Sequence, residues 1–323
     1  MGVKTGIGKT GIFMSIAIAL AMCVTTYILK PVKMSRGDYG ICLPSPHLWA
    51  IPDFLSWLIN LIIIGGIAFI LFQTNRHFNF IRTTEPALPV IFVIATCSSP
   101  WFTQGLDTST LLCLVNVISL AIVFGVYNRP NATQQIFSMG GLIGLGSMFE
   151  YAFLPMAFVY IIWALILKIL RFKETIAFLL GIMCPYWIGL GLGLISISDF
   201  HIQSLTPFFG SETDYSEIWL LLCGTGIAAI GGLFATMFNS MKLYAGNSIV
   251  NSMNLCVTVM GLAALICIFA DYENMTAYVV TLYVAMSVQL ANICALWNPE
   301  QEWLVSAIPS VIYIGLFLAA IFL

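Results

Sequence analysis

Lys33, Arg36, Asp38, His47 and Asp53 bring both signs of charge together within about two dozen residues of a chain that is otherwise almost uncharged. A carboxylate facing water can take the proton from an acceptor hydroxyl, and nearby Lys and Arg can hold a phosphate through charge-assisted hydrogen bonds. Asp38 is the candidate base, and Lys33 and Arg36 are the candidate phosphate clamp. Further on, Asp199-Phe200-His201 places two metal-ligating side chains at i and i+2. With His47 they would make a three-residue set drawn from two segments, so a divalent metal is a candidate cofactor. A solvated loop is the simpler account of each residue taken alone. Gly8-Lys9-Thr10 resembles the end of a phosphate loop, but the first glycine of G-x-x-x-x-G-K-T would have to stand at Val3.

The elements that would carry these residues follow from composition. Sixty per cent of the 323 residues are hydrophobic and 8% are charged, whereas globular chains carry roughly a quarter charged residues. Such a chain cannot clothe a water-facing surface. Its apolar runs are continuous and about 20 residues long, the length that spans roughly 30 Å of hydrocarbon as a helix, and they lack the period-two alternation of barrel strands. The fold class expected is all-α, a polytopic transmembrane bundle forming a single integral membrane domain over residues 1–323. A net charge of −2 gives no basic face for nucleic acid. Eight of the nine cysteines, all but Cys42, lie in apolar runs and read as small hydrophobes.

Eleven spans, within a range of ten to twelve, account for the pattern: 11–29, 54–73, 87–103, 109–127, 135–149, 151–170, 175–197, 217–238, 248–270, 274–296 and 303–323. With the N-terminus cytoplasmic, Lys4, Lys9, Arg76, Arg82, Arg129, Lys168, Arg171, Lys173 and Lys242 fall inside, and only Lys30, Lys33 and Arg36 fall outside. This asymmetry is the positive-inside pattern, and it places the C-terminus outside, periplasmic in a bacterial inner membrane. Acidic residues show the reverse bias, with Asp38, Asp53, Asp107, Glu150, Asp199 and Asp271 among those on the outer side. Two outer loops, 30–53 and 198–216, are long enough to hold structure.

Gly140-x-x-x-Gly144 puts two small residues on one helix face and predicts close backbone packing. Pro155 and Pro185 predict kinks. No ionisable residue falls near the centre of a span, Glu150 at a hairpin tip coming closest. That argues against a proton- or sodium-coupled carrier.

Two resemblances rest on motifs. Leu61 through Gly193 resembles an uncharacterised family of Bacteroidetes inner-membrane proteins. The shared elements are Thr74-Asn75-Arg76-His77-Phe78 closing the second span, Leu88-Pro89 opening the third, glycine-rich Gly140 to Leu145, Leu170-Arg171-Phe172-Lys173-Glu174, and Gly181 to Tyr186. More distantly, the chain is similar to the membrane module of polyprenyl-phosphate-dependent glycosyltransferases of the GT-C fold. A first-loop acid, Ser99-Pro100, Asp107 and Gly140 to Leu145 follow in that order. This resemblance implies sugar transfer at the outer leaflet from a polyprenyl-phosphate donor in envelope glycan assembly. Asp38 and Asp107 would be the catalytic acids, and Lys33 and Arg36 would bind the lipid phosphate. Asp38 lacks an adjacent second acid, and no soluble outer domain is read in the sequence. A non-catalytic subunit or scaffold of an envelope complex is therefore the alternative, with a lipid or solute transporter as a third. Membrane lipids, and partner subunits in the second case, are the expected partners.

Overall fold

The computed structural model describes residues 9–29, 40–81, 87–127, 129, 131–201, 218–243, 248–272, 274–296 and 302–322. They form twelve helices and no strand: α1 (Lys9–Leu29), α2 (Asp53–Phe78), α3 (Ala87–Cys97), α4 (Pro100–Thr103), α5 (Thr108–Gly125), α6 (Thr133–Phe149), α7 (Met156–Ile166), α8 (Phe172–Gly191), α9 (Trp219–Leu243), α10 (Ser248–Ala270), α11 (Met275–Leu296) and α12 (Glu302–Phe322). Among the described residues, six helices are long and apolar enough to cross a membrane: α2, α5, α8, α9, α10 and α11. Shorter apolar helices accompany them at Phe13–Leu29, Ala87–Cys97, Tyr151–Ile166 and Ser306–Phe322. Phe13, Ile62, Phe158, Ile230, Phe234 and Phe322 turn outward from the bundle. An apolar exterior around helices of this length is the architecture of a multi-pass membrane protein.

Each expected span coincides with helix, with local differences that have physical causes. The third splits into α3 and α4, because Pro100 opens a new helix and Ser98 and Ser99 form the break. The sixth begins after Pro155, which stands at the N-cap of α7; it therefore starts a helix rather than kinking one. That helix stops where Lys168 takes a left-handed φ of 58°. The seventh ends at Gly191, ahead of Gly193 with φ 69°, and Pro185 lies inside it.

The innermost element is α11, whose apolar window is 94% buried. It packs against α9, α10, α5, α3 and α12. Uncharged polar side chains along it find partners on these neighbours and on others. Asn116 Nδ2 donates to Thr281 Oγ1 at 3.1 Å, and the Tyr160 hydroxyl donates to Asn116 Oδ1 at 2.9 Å. Gln289 Nε2 donates to Thr258 Oγ1 (3.1 Å), Asn239 Nδ2 to Gln289 Oε1 (2.9 Å), and Asn292 Nδ2 to Asn254 Oδ1 (2.7 Å). In hydrocarbon an unpaired amide is expensive, so such residues are confined to protein-facing surfaces.

The helices α6 and α8 form the closest pair. A Cβ at Gly140 would lie 2.3 Å from the Phe178 carbonyl oxygen, one at Gly144 2.3 Å from that of Ile182, and one at Gly181 2.3 Å from that of Phe137. The backbones touch, as the glycine spacing predicts. Thr133 Oγ1 donates to Glu174 Oε1 (3.3 Å) at their N-terminal ends, and the Ser147 and Tyr186 hydroxyls meet at 2.7 Å further along. The two helices therefore run parallel, and α7 is the return segment that joins them in the chain.

Candidate functional site

At the end of the bundle where α5 and α11 begin, three carboxylates are enclosed. The first, Asp107, is placed by a set of polar ties around the α4–α5 turn. Ser56 Oγ accepts from the Leu106 N–H (2.8 Å), Asn60 Nδ2 donates to the Phe102 carbonyl (2.6 Å), and Thr110 Oγ1 donates to Asn60 Oδ1 (2.7 Å). These bonds fix the entry into α5, with Asp107 at its N-cap and only 2% exposed. The Ser109 hydroxyl donates to Asp107 Oδ2.

Glu150 stands at the C-cap of α6, its N–H bonded to the Gly146 carbonyl at 2.9 Å. Its carboxylate accepts from Thr108 Oγ1 at 3.0 Å and from the Ser45 hydroxyl. Its neighbours in sequence, Phe149, Tyr151, Ala152 and Phe153, are apolar or aromatic, and Glu150 itself is buried. Burial is the largest influence on this carboxyl and raises its pKa. The Ser45 and Thr108 hydrogen bonds oppose that rise, and the charges of Asp107 and Asp271 add to it. The net result is about 7. Asp271, between α10 and α11, is 2% exposed and accepts from Asn274 Nδ2 at 2.8 Å. Tyr278, in the first turns of α11, is fully enclosed and within electrostatic reach of Asp271 and Glu150; its hydroxyl has no hydrogen-bond partner among the described residues.

The loop between α1 and α2 is latched to this cluster. The N–H groups of Ile41, Cys42 and Leu43 donate to the Ser147 and Met148 carbonyls at 2.9–3.3 Å. These carbonyls belong to the last turn of α6, which a helix leaves unpaired. A Cβ at Gly40 would fall 2.2 Å from the Phe149 carbonyl carbon, so only glycine allows the approach. The His201 N–H in turn donates to the Ile41 carbonyl at 2.8 Å. The described start of the second candidate loop is therefore tied to α6 through the first.

Of the residues singled out from sequence, Asp107 lies in the buried cluster, joined to Glu150 through Thr108. Lys33, Arg36 and Asp38 lie outside the described residues. His47 sits in a 3-10 turn, Pro46–Leu48. Asp199 is exposed, and its carboxylate is engaged locally, accepting the Ser196 N–H at 2.8 Å in a capping box. That backbone bond, first among several, holds Asp199 below its ordinary carboxylate range. Among the described residues, His47, Asp199 and His201 do not gather into a three-ligand metal group. Glu150, Asp271 and Tyr278 were not singled out as site residues by sequence reasoning, which read the two acids as facing the outer water. The signal available was the apolar sequence on both sides of Glu150.

No family model matches the chain. No curated protein matches it, and no solved structure matches its fold.

Proposed function

We propose that this multi-pass membrane protein is an acid–base enzyme working at the Asp107–Glu150 end of an eleven-crossing bundle, N-terminus cytoplasmic. It would transfer a sugar from a polyprenyl-phosphate donor at the outer leaflet. The observation that carries the reading is Glu150. A carboxyl with a pKa of about 7 can accept and release a proton near neutrality, as general acid–base chemistry requires. The acceptor hydroxyl would lose its proton to a carboxylate as its oxygen bonds to the sugar's anomeric carbon. The bond from that carbon to the lipid phosphate would break, leaving the phosphate for Lys33 and Arg36. The GT-C resemblance supplies the donor class and the first-loop acid, Asp38.

The test is turnover by the full chain in nanodiscs supplied with polyprenyl-phosphate sugars. Loss of transfer in Glu150→Gln and Asp38→Asn, with folding unchanged, is expected. Wild-type rates in both variants would overturn the assignment of roles.

The polar side chains along α11 favour a second reading, a carrier. Asp271 stands just before this helix, and Thr281, Gln289 and Asn292 follow along it, each bonded to a neighbouring helix. Uptake of solute into sealed vesicles, with no transfer product, would select that reading.

A further inference from the structure

A groove of about 640 Å³ opens sideways between α1, α2 and α3, at the depth of the apolar helices and away from the acidic cluster. This volume lies within the range of roughly 300–1,000 Å³ typical of small-molecule sites. Leu20, Leu61, Gly65, Phe69, Phe72 and Val93 are among its lining residues, and Leu20 and Phe69 are open to the surrounding lipid.

Gly65 indicates that the space is kept open. Glycine inside a helix costs about 1 kcal/mol relative to alanine. At Gly140 and Gly144 backbone contact requires it, but a Cβ at Gly65 would meet no atom within 4 Å. On the α2 face, Leu61, Gly65, Phe69 and Phe72 follow at helical spacing over about 16 Å, close to half of a hydrocarbon core of about 30 Å. Four residues beyond Phe72, and so on the same face, stands Arg76, exposed at the end of α2. An apolar channel one leaflet deep, ending in a guanidinium, matches an acyl chain joined to a phosphate.

We propose that the groove binds one acyl chain of an anionic phospholipid from the leaflet at the Arg76 end, with the lipid phosphate held by Arg76. This does not depend on the enzymatic reading, which concerns the opposite end of the bundle.

The experiment places the full chain in phosphatidylcholine vesicles containing a minor fraction of phosphatidylglycerol with a diazirine in its acyl chain. After illumination, adducts are mapped by mass spectrometry. Adducts on the α1–α3 groove are expected to exceed those on the lipid-facing side of α9 (Ile230, Phe234, Met237) by about five-fold or more. Gly65→Trp should remove the excess by filling the channel, and Arg76→Gln should bring labelling down to that of a diazirine phosphatidylcholine. Equal labelling of the groove and α9 in the wild-type protein would overturn the proposal, whether or not Gly65→Trp folds. Phosphatidylcholine labelling the wild-type groove as strongly as phosphatidylglycerol would overturn the role of Arg76.

Discussion

Thr108 donates its hydroxyl hydrogen to Glu150 Oε2 across 3.0 Å, joining the first turn of α5 to the last residue of the α6 hairpin, 42 positions away in sequence. Ser45 makes the same kind of bond from the loop between α1 and α2. One buried carboxylate therefore gathers three separate segments.

The pH dependence of stability follows from Glu150. Its folded pKa, about 7, lies above the ordinary value of 4.5. The folded state therefore holds the proton more tightly, and stability falls as pH rises from the ordinary value through the folded one. By linkage the loss is about 3 kcal/mol. Glu150→Gln, which cannot ionise, should flatten this dependence and be the more stable protein at pH 8. Thermal melts of both proteins between pH 4.5 and 8.5 check the prediction; parallel curves would refute it.

Substitutions at two kinds of glycine should have opposite effects. Gly144→Ala and Gly181→Ala place a methyl group 2.3 Å from a carbonyl oxygen of the facing helix, and should destabilise the α6–α8 pair by about 2 kcal/mol or more. Gly65→Ala meets open space and should be neutral or stabilising by up to about 1 kcal/mol. Denaturation midpoints in a common detergent would rank the three.

Gly40→Ala should release the loop latch. The amides of Ile41, Cys42 and Leu43 would lose their α6 acceptors and exchange faster by about tenfold or more. Hydrogen exchange read by mass spectrometry over residues 40–52 gives the measurement, with residues in α11 as the unaffected reference.

Asn116→Leu removes the link between Tyr160 and Thr281. Leaving buried polar groups short of a partner costs about 1–3 kcal/mol. Because the three residues act as one network, Asn116→Leu combined with Tyr160→Phe should cost less than the two changes added together. A double-mutant cycle on unfolding free energies measures the difference.

The positions of the helices were legible in the sequence because continuous apolar runs have one solution in lipid. Their order of burial was less so. Both α8 and α11 carry polar residues, but in α8 Lys173, Glu174 and Thr175 are confined to the first turn, where Lys173 is exposed and Glu174 is buried against Thr133. In α11, Thr281, Ser287, Gln289 and Asn292 extend far from the first turn and must face protein; their placement identifies the central helix. The glycine spacing of α6 was readable for the same reason, since a small-residue stripe has a specific use. The acidic cluster was harder to see. Charge counting places Glu150, Asp107 and Asp271 at one end of the bundle, but it cannot tell a solvated carboxylate from one sealed beneath a docked loop. That depends on Gly40 and on backbone bonds from residues 41–43, which leave no pattern in composition.

The touching backbones of α6 and α8 have a mechanical consequence. Surfaces in contact at glycine cannot slide without separating, so the pair acts as a fixed mount, and Glu150 is fastened to its tip. The groups that set its proton affinity sit on other parts: Ser45 on the loop, and Asp271 beyond α10. The loop bears on this proton in two opposed ways: burial favours the protonated form, while the Ser45 hydroxyl favours the ionised one. Glu150 is thus the point at which an unyielding helix pair meets the loop that bonds it.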